Sequence, residues 1–150
     1  MSDNRKKLKS IILLVIVVVL AFAGGVLYVF TKKFTDITKE KVDYTINAFD
    51  LINEFKNNDS LANKKYAEKI ITVTGSVTEV ESADTTVNIK MADTTSGSYA
   101  IFAFQQQNLT EAKTIKEGDK VSIKGSCSGG AFSQILATEF ITFKRCALTK

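Results

Sequence analysis

Residues 124–130 read KGSCSGG, a cysteine flanked by serines and bracketed by glycines. Such a stretch could present a thiolate on a strained turn, cradle an anion with its backbone N–H groups, or simply end a strand. Thiolate chemistry needs a base beside the sulfur, and the chain contains no histidine at all. That absence removes Cys-His and Ser-His nucleophile activation and any mixed Cys/His zinc site. Two cysteines, Cys127 and Cys146, cannot supply the four thiolates of an all-sulfur zinc centre. No metal site and no cofactor are therefore expected. Glu79 and Glu81 fall two apart on one strand and could act as an acid and a base, but exposed strand carboxylates are ordinarily solvated. The chain is expected not to be an enzyme. A third constellation is aromatic: Tyr99, Phe102 and Phe104 with Lys90 and Lys124 resemble the stacking rings and cations that hold a single nucleic-acid strand.

The elements that carry these residues follow an apolar segment. Residues 1–10 form a basic tail with Arg5, Lys6, Lys7 and Lys9, and residues 11–30 hold 20 residues without one charged side chain. At about 1.5 Å per residue such a run is long enough to cross a bilayer core. Lys32 and Lys33 follow it, so the flanking charges orient it weakly, and the short basic tail favours an N-terminus inside. The expectation is a single-pass signal anchor in the inner membrane with the rest of the chain periplasmic or otherwise extracytoplasmic. Ala21-Phe22-Ala23 also has the spacing of a signal-peptidase site, a rival that exports the chain equally well. From residue 34 on there are 14 Lys+Arg and 15 Asp+Glu, so the exported part has a net charge near −1 and lacks the cation excess that phosphate binding requires.

Residues 31–43 are polar and mixed in charge and read as a linker. Within 44–150, Ala48, Leu51, Ile52 and Phe55 recur at helical spacing behind an Asn47 cap, which predicts an amphipathic helix over about 47–58. A second helical piece, SLANKKYAEK, follows behind Asp59 or Ser60. Beyond Lys69 the pattern alternates as strands do. Strands are expected over 70–81, where Gly75 suggests a bulge, then over 85–91, 98–104, 119–127 and 139–148. Asn108, Leu109, Ala112 and Ile115 predict a short helix between the third and fourth. A phase switch near Lys144 and Arg145 implies one extra residue there. Three strands, a short helix and two more strands is the order of an OB-fold, a five-stranded Greek-key barrel, with a generic five-stranded sandwich as the alternative, so the expected class is mainly β, preceded by one transmembrane helix.

The runs DYTINAFDLINEFKNND, ANKKYAEKIITVTGSV, IKEGDKVSIKGSCSGG and FKRCAL together resemble the tRNA_anti-like OB-fold family of small anchored or lipoprotein bacterial envelope proteins. The resemblance covers about 42–148 and implies a fold and a location. It carries no catalytic residue. With the last two strands joined by a hairpin centred near residue 136, Cys127 and Cys146 fall near one another. In an oxidising compartment they could form a structural disulfide, with two free buried thiols as the alternative. The expected role is an exported binding module for a protein or other envelope ligand, with membrane contact through 11–30. Single-stranded nucleic-acid binding through Tyr99, Phe102, Phe104, Lys90 and Lys124 is the disfavoured alternative.

Overall fold

The computed structural model describes residues 2–31 and 36–149, with side chains described at 12, at 14–28 and at 36–149 except 106. Two compact units separate at residue 35. The first contains α1 (Ser2–Thr31), one continuous helix of 30 residues that overruns the predicted apolar segment at both ends. Among the described residues no helix is long and apolar enough to cross a membrane. Residues 11, 13, 29 and 30 of the expected segment lie outside the described side chains. The transmembrane helix and single-pass inner-membrane location expected from 11–30 are therefore not features the structure supplies.

The second unit, Asp36–Lys150, is mainly β. Its elements are β1 (Tyr44–Asn47), α2 (Ala48–Asn57), α3 (Asp59–Tyr66), β2 (Ile70–Ser76), β3 (Glu79–Ser82), β4 (Thr86–Ala92), β5 (Tyr99–Gln105), α4 (Leu109–Ala112), β6 (Lys120–Ser133) and β7 (Thr138–Leu148). They form one mixed sheet of seven strands in the order β1-β2-β6-β7-β5-β4-β3, which does not close on itself. The β1/β2 and β5/β7 pairs are parallel and the rest antiparallel.

Seven strands replace the five expected, for two local reasons. Residues 70–81 do not form one strand: the hydrogen bonds change partner between Val77, whose N–H donates to Asp119 O, and Thr78, whose N–H donates to Lys90 O. Gly75 lies two residues before this break. Ahead of the amphipathic helix, residues 44–47 add a strand parallel to β2, because Asn47 ends β1 with an extended backbone while its side chain accepts the Phe49 N–H and starts α2. In α3 the cap is Asn58, not Asp59 or Ser60, since Asn58 Oδ1 accepts from Leu61 N–H at 2.9 Å. Asn108 stands at the N-cap position of α4 without a side-chain cap hydrogen bond; its amide donates to Cys146 O.

The apolar stripe of α2 closes one end of the core. Leu51, Ile52 and Phe55 are 1 % exposed or less and join Ile71, Val73, Phe102, Phe104, Ile123 and Ile141 in one cluster. Burying each such side chain contributes about 1.5–3 kcal/mol. A smaller cluster of Ile37, Ile70 and Ala147 fixes the segment read as linker. Asp36 caps a short turn at Ile37–Lys39, Lys124 Nζ donates to Thr38 O and Glu40 O, and Arg145 pairs with Glu40 at 2.8 Å. Part of the predicted 31–43 tether is thus bound to the sheet. The extra residue expected near Lys144 and Arg145 is present: Lys124 pairs with Ala147 but Ser126 with Lys144, and Arg145 takes φ 55°.

Candidate functional site

KGSCSGG lies inside β6, and its glycines serve packing. A Cβ at Gly125 would stand 2.8 Å from Cys146 Sγ, and one at Gly130 would stand 2.6 Å from the Phe55 ring. Gly129 takes φ 99° with the Asn63 carboxamide against it, and Asn63 exchanges two hydrogen bonds with Gly130. Neither cysteine is exposed, and both are free thiols, which corrects the expected disulfide. The physical reason is register: Cys127 stands opposite Phe143, while Cys146 falls in the bulge and packs on Gly125. Burial pushes the Cys127 thiol up to about 11 and raises that of Cys146 as well, so neither supplies a thiolate near neutral pH.

The aromatic constellation is split. Phe102 and Phe104 point inward and are 0 % exposed, with Phe102 stacked on Phe143 at 4.7 Å. Their rings are closed to a base. Tyr99 lies on the outer face, stacked on Phe140 at 6.4 Å, with Lys90 Nζ 5.7 Å from its ring centroid. Lys90 is held by two carboxylates, Glu81 at 2.7 Å and Glu79 at 3.0 Å. Those hydrogen bonds, Glu81's first, raise the Lys90 pKa, and the same ammonium lowers that of Glu81. Glu79 and Glu81 are thus counter-ions of one lysine. Lys124 is buried on β6 against the Thr38 and Glu40 carbonyls. Of the five residues, only Lys90 and Tyr99 are brought together.

A concave feature opens elsewhere, where the sheet changes partners. The first turn of α2, the ends of β2 and β4, the start of β6 and Leu148 and Thr149 at the end of β7 line a groove of about 950 Å³. Gly75 makes room for it, because a Cβ there would come within 2.9 Å of both Ala48 Cβ and Met91 Sδ. Phe49, Ile52, Met91, Val121 and Leu148 give the walls an apolar character. Thr74, Ser76, Thr78, Thr94, Ser122 and Thr149 add hydroxyls, of which Thr78 Oγ1 already bridges Lys90 O and Ala92 N–H. Among the described lining residues formal charge is limited to Glu111 and Lys120. Apolar walls with a few oriented polar groups are the usual makeup of a ligand site. Among the described residues no cluster of three or more His, Cys, Asp or Glu could hold a metal ion.

Sequence reasoning did not find this groove. The one available signal was Phe49, which stands off the Ala48, Leu51, Ile52, Phe55 stripe and is 54 % exposed. The hydroxyls converge from four separate segments, and their meeting depends on the break at Val77 and Thr78.

No curated protein matches the chain. A solved structure named "putative nucleic acid-binding lipoprotein", from Klebsiella pneumoniae subsp. pneumoniae MGH 78578, matches with a TM-score of 0.56 at 17 % identity, over 70 % of this chain and 91 % of that one. At that identity the likeness concerns the fold. The tRNA_anti-like family model matches residues 1–139, and with the OB-like strand and helix order this identifies the chain as a member of the tRNA_anti-like family.

Proposed function

We propose that the chain is a non-catalytic binding module of the bacterial envelope. In this reading the apolar segment of α1 inserts in the membrane with its N-terminus inside, and the barrel-like unit faces the extracytoplasmic side. The unit takes an uncharged, partly apolar segment of an envelope protein in the groove beside Phe49. The observation that carries the reading is the groove's lining, which alternates aliphatic and hydroxyl groups and holds two formal charges. The lipoprotein among the similar structures supports the envelope location.

Single-stranded nucleic acid is the second reading, favoured by the name of that neighbour and by the half-buried, stacked Tyr99 and Phe140 pair. Against it stand Lys90, occupied by two carboxylates, and the near-zero charge of the unit. A photo-crosslinking amino acid at Phe49, activated in intact envelope, separates the two. Adducts to one protein, lost when Thr74→Trp fills the groove, support the proposal. Adducts to nucleic acid, or retention of the purified chain on an oligonucleotide column at about 0.15 M salt, overturn it.

A further inference from the structure

The hairpin joining β6 to β7 carries a feature that the groove does not use. Its tip exposes Ile135 at 95 %, Leu136 at 64 % and Phe132 at 51 %. Exposed large apolar groups concentrated at one point of a soluble surface mark an interaction site. The fourteen residues 125–138 carry no charge. The tip is also held firmly: the ladder stays in register from Gly129 and Thr142 to Ser133 and Thr138, and Ser133 Oγ accepts the Leu136 N–H. Ala137 closes the turn at φ 53°, a left-handed conformation that alanine adopts only under constraint. A strained turn that pushes two aliphatic side chains into solvent is a cost to the isolated fold, and such costs cluster at sites of function.

We propose that this tip is a lipid-docking element, with Phe132, Ile135 and Leu136 dipping into the interface of the bilayer that holds α1. The proposal rests on the membrane-anchor reading above. Two facts select a bilayer as the occupant. An uncharged tip has no ion to dehydrate as it enters the headgroup region, and its aliphatic and aromatic side chains are those that partition there. The chain itself also keeps the tip near lipid. Five steps separate Thr31 at the end of α1 from Asp36, at most about 18 Å when fully extended. Whatever the orientation of the barrel-like unit, that short span gives the tip a high effective concentration at the surface. Shallow insertion would then provide a second membrane contact besides the tether, at a tip that lies nine residues further along β6 than Lys124, which binds the tether segment.

The chain has no tryptophan, so a single introduced one is a clean reporter. Full-length Leu136→Trp and Phe22→Trp proteins are reconstituted separately in bilayers containing lipids brominated at shallow or deep acyl positions. Quenching of Leu136→Trp by shallow bromines, abolished when Ile135→Glu is added, supports docking at a depth of about 5–10 Å. Quenching of Phe22→Trp with none of Leu136→Trp overturns the docking and leaves the anchor standing. Quenching of neither overturns the anchor reading and the docking with it. A blue-shifted but unquenched Leu136→Trp emission overturns lipid as the occupant and assigns the tip to a protein, either a second copy or a partner.

Discussion

Gly125→Ala is the sharpest test of why KGSCSGG is built from small residues. The added Cβ would lie 2.8 Å from Cys146 Sγ and 3.3 Å from Phe143 Cβ, in a region where both neighbours are almost fully buried. Overpacking of this kind costs about 1–3 kcal/mol, offset by about 0.5 kcal/mol from the stiffer unfolded chain. A net loss of about 1.5 kcal/mol is expected. Cys146→Ala alone removes a buried sulfur and leaves a small cavity, at about 1–1.5 kcal/mol. In the double variant the new methyl occupies the space the sulfur vacates, so the total loss is about 1 kcal/mol rather than the additive sum. Urea unfolding followed by circular dichroism measures the four corners of this cycle, and a coupling of about 1.5–2 kcal/mol is expected. Additivity within about 0.5 kcal/mol would refute the reasoning, because it would mean that Gly125 and Cys146 do not share that space.

With both thiols free, a reductant leaves the thermal midpoint of the barrel-like unit unchanged, whereas a hidden bridge would lower it by roughly 10 °C. Lys124→Met removes the donor for the Thr38 and Glu40 carbonyls, costs about 2 kcal/mol, and opens the segment around Lys39 and Lys41 to trypsin; protection equal to the parent would show that Ile37 and the Arg145–Glu40 pair hold it without Lys124. Glu139 has a buried, unpartnered Oε2, and burial first, then Asp59, raises its pKa. The folded state therefore holds the proton more tightly than the unfolded one, and this contribution, full below the unfolded pKa, is lost as pH rises through the folded value. Glu139→Gln should raise the thermal midpoint at pH 8 and change it little at pH 4, and an equal shift at both would show that titration is not involved. Asp93 is the opposite case. Ser96 Oγ and then the Thr95 N–H lower it to about 2, so its contribution is present above the unfolded value and fades as pH falls from about 4 toward 2, a slope that Asp93→Asn removes.

What was legible in the sequence was whatever repeats at short range. The α2 stripe, the Asn47 cap, the alternation that sends Phe102 and Phe104 to one face, and the phase switch at Arg145 each depend on residues within one turn or two strand positions of each other. The strand count failed where partners change: Gly75 signals an irregularity within IITVTGSVTEVE, but nothing there shows that it is a change of partner from Asp119 to Lys90. The disulfide failed by register: the hairpin pairs Ser133 with Thr138, which would set Cys127 opposite Lys144, and the irregularities beside it move it one position further from Cys146, to Phe143. Tyr44 shows the same limit. It precedes the helix cap and looks like loop, yet it pairs in parallel with Ile71 and sets its ring 5.3 Å from Tyr66.

The same ladders determine what kind of ligand the unit can take. On the outer face, β3 and β4 pair so that Glu79 stands opposite Lys90, and Glu81 lies within 2.7 Å of the same ammonium. The cation beside the half-buried Tyr99 ring is therefore neutralised before any ligand arrives. Phosphate recognition proceeds by releasing counterions, and for a single strand the logarithm of affinity falls with that of salt by about 0.7 per phosphate neutralised. With Lys120 as the lysine in the groove, a ligand seated there can show a slope no steeper than about −1. Its binding strength must come from the Phe49, Ile52, Met91 and Leu148 walls and from hydroxyl hydrogen bonds, which survive salt. Binding measured between 0.05 and about 0.5 M salt thus reports the class of ligand without its identity: a nearly flat dependence fits an uncharged protein segment, and a slope of about −3 or steeper would require a cationic surface that Lys90 and Lys120 do not provide.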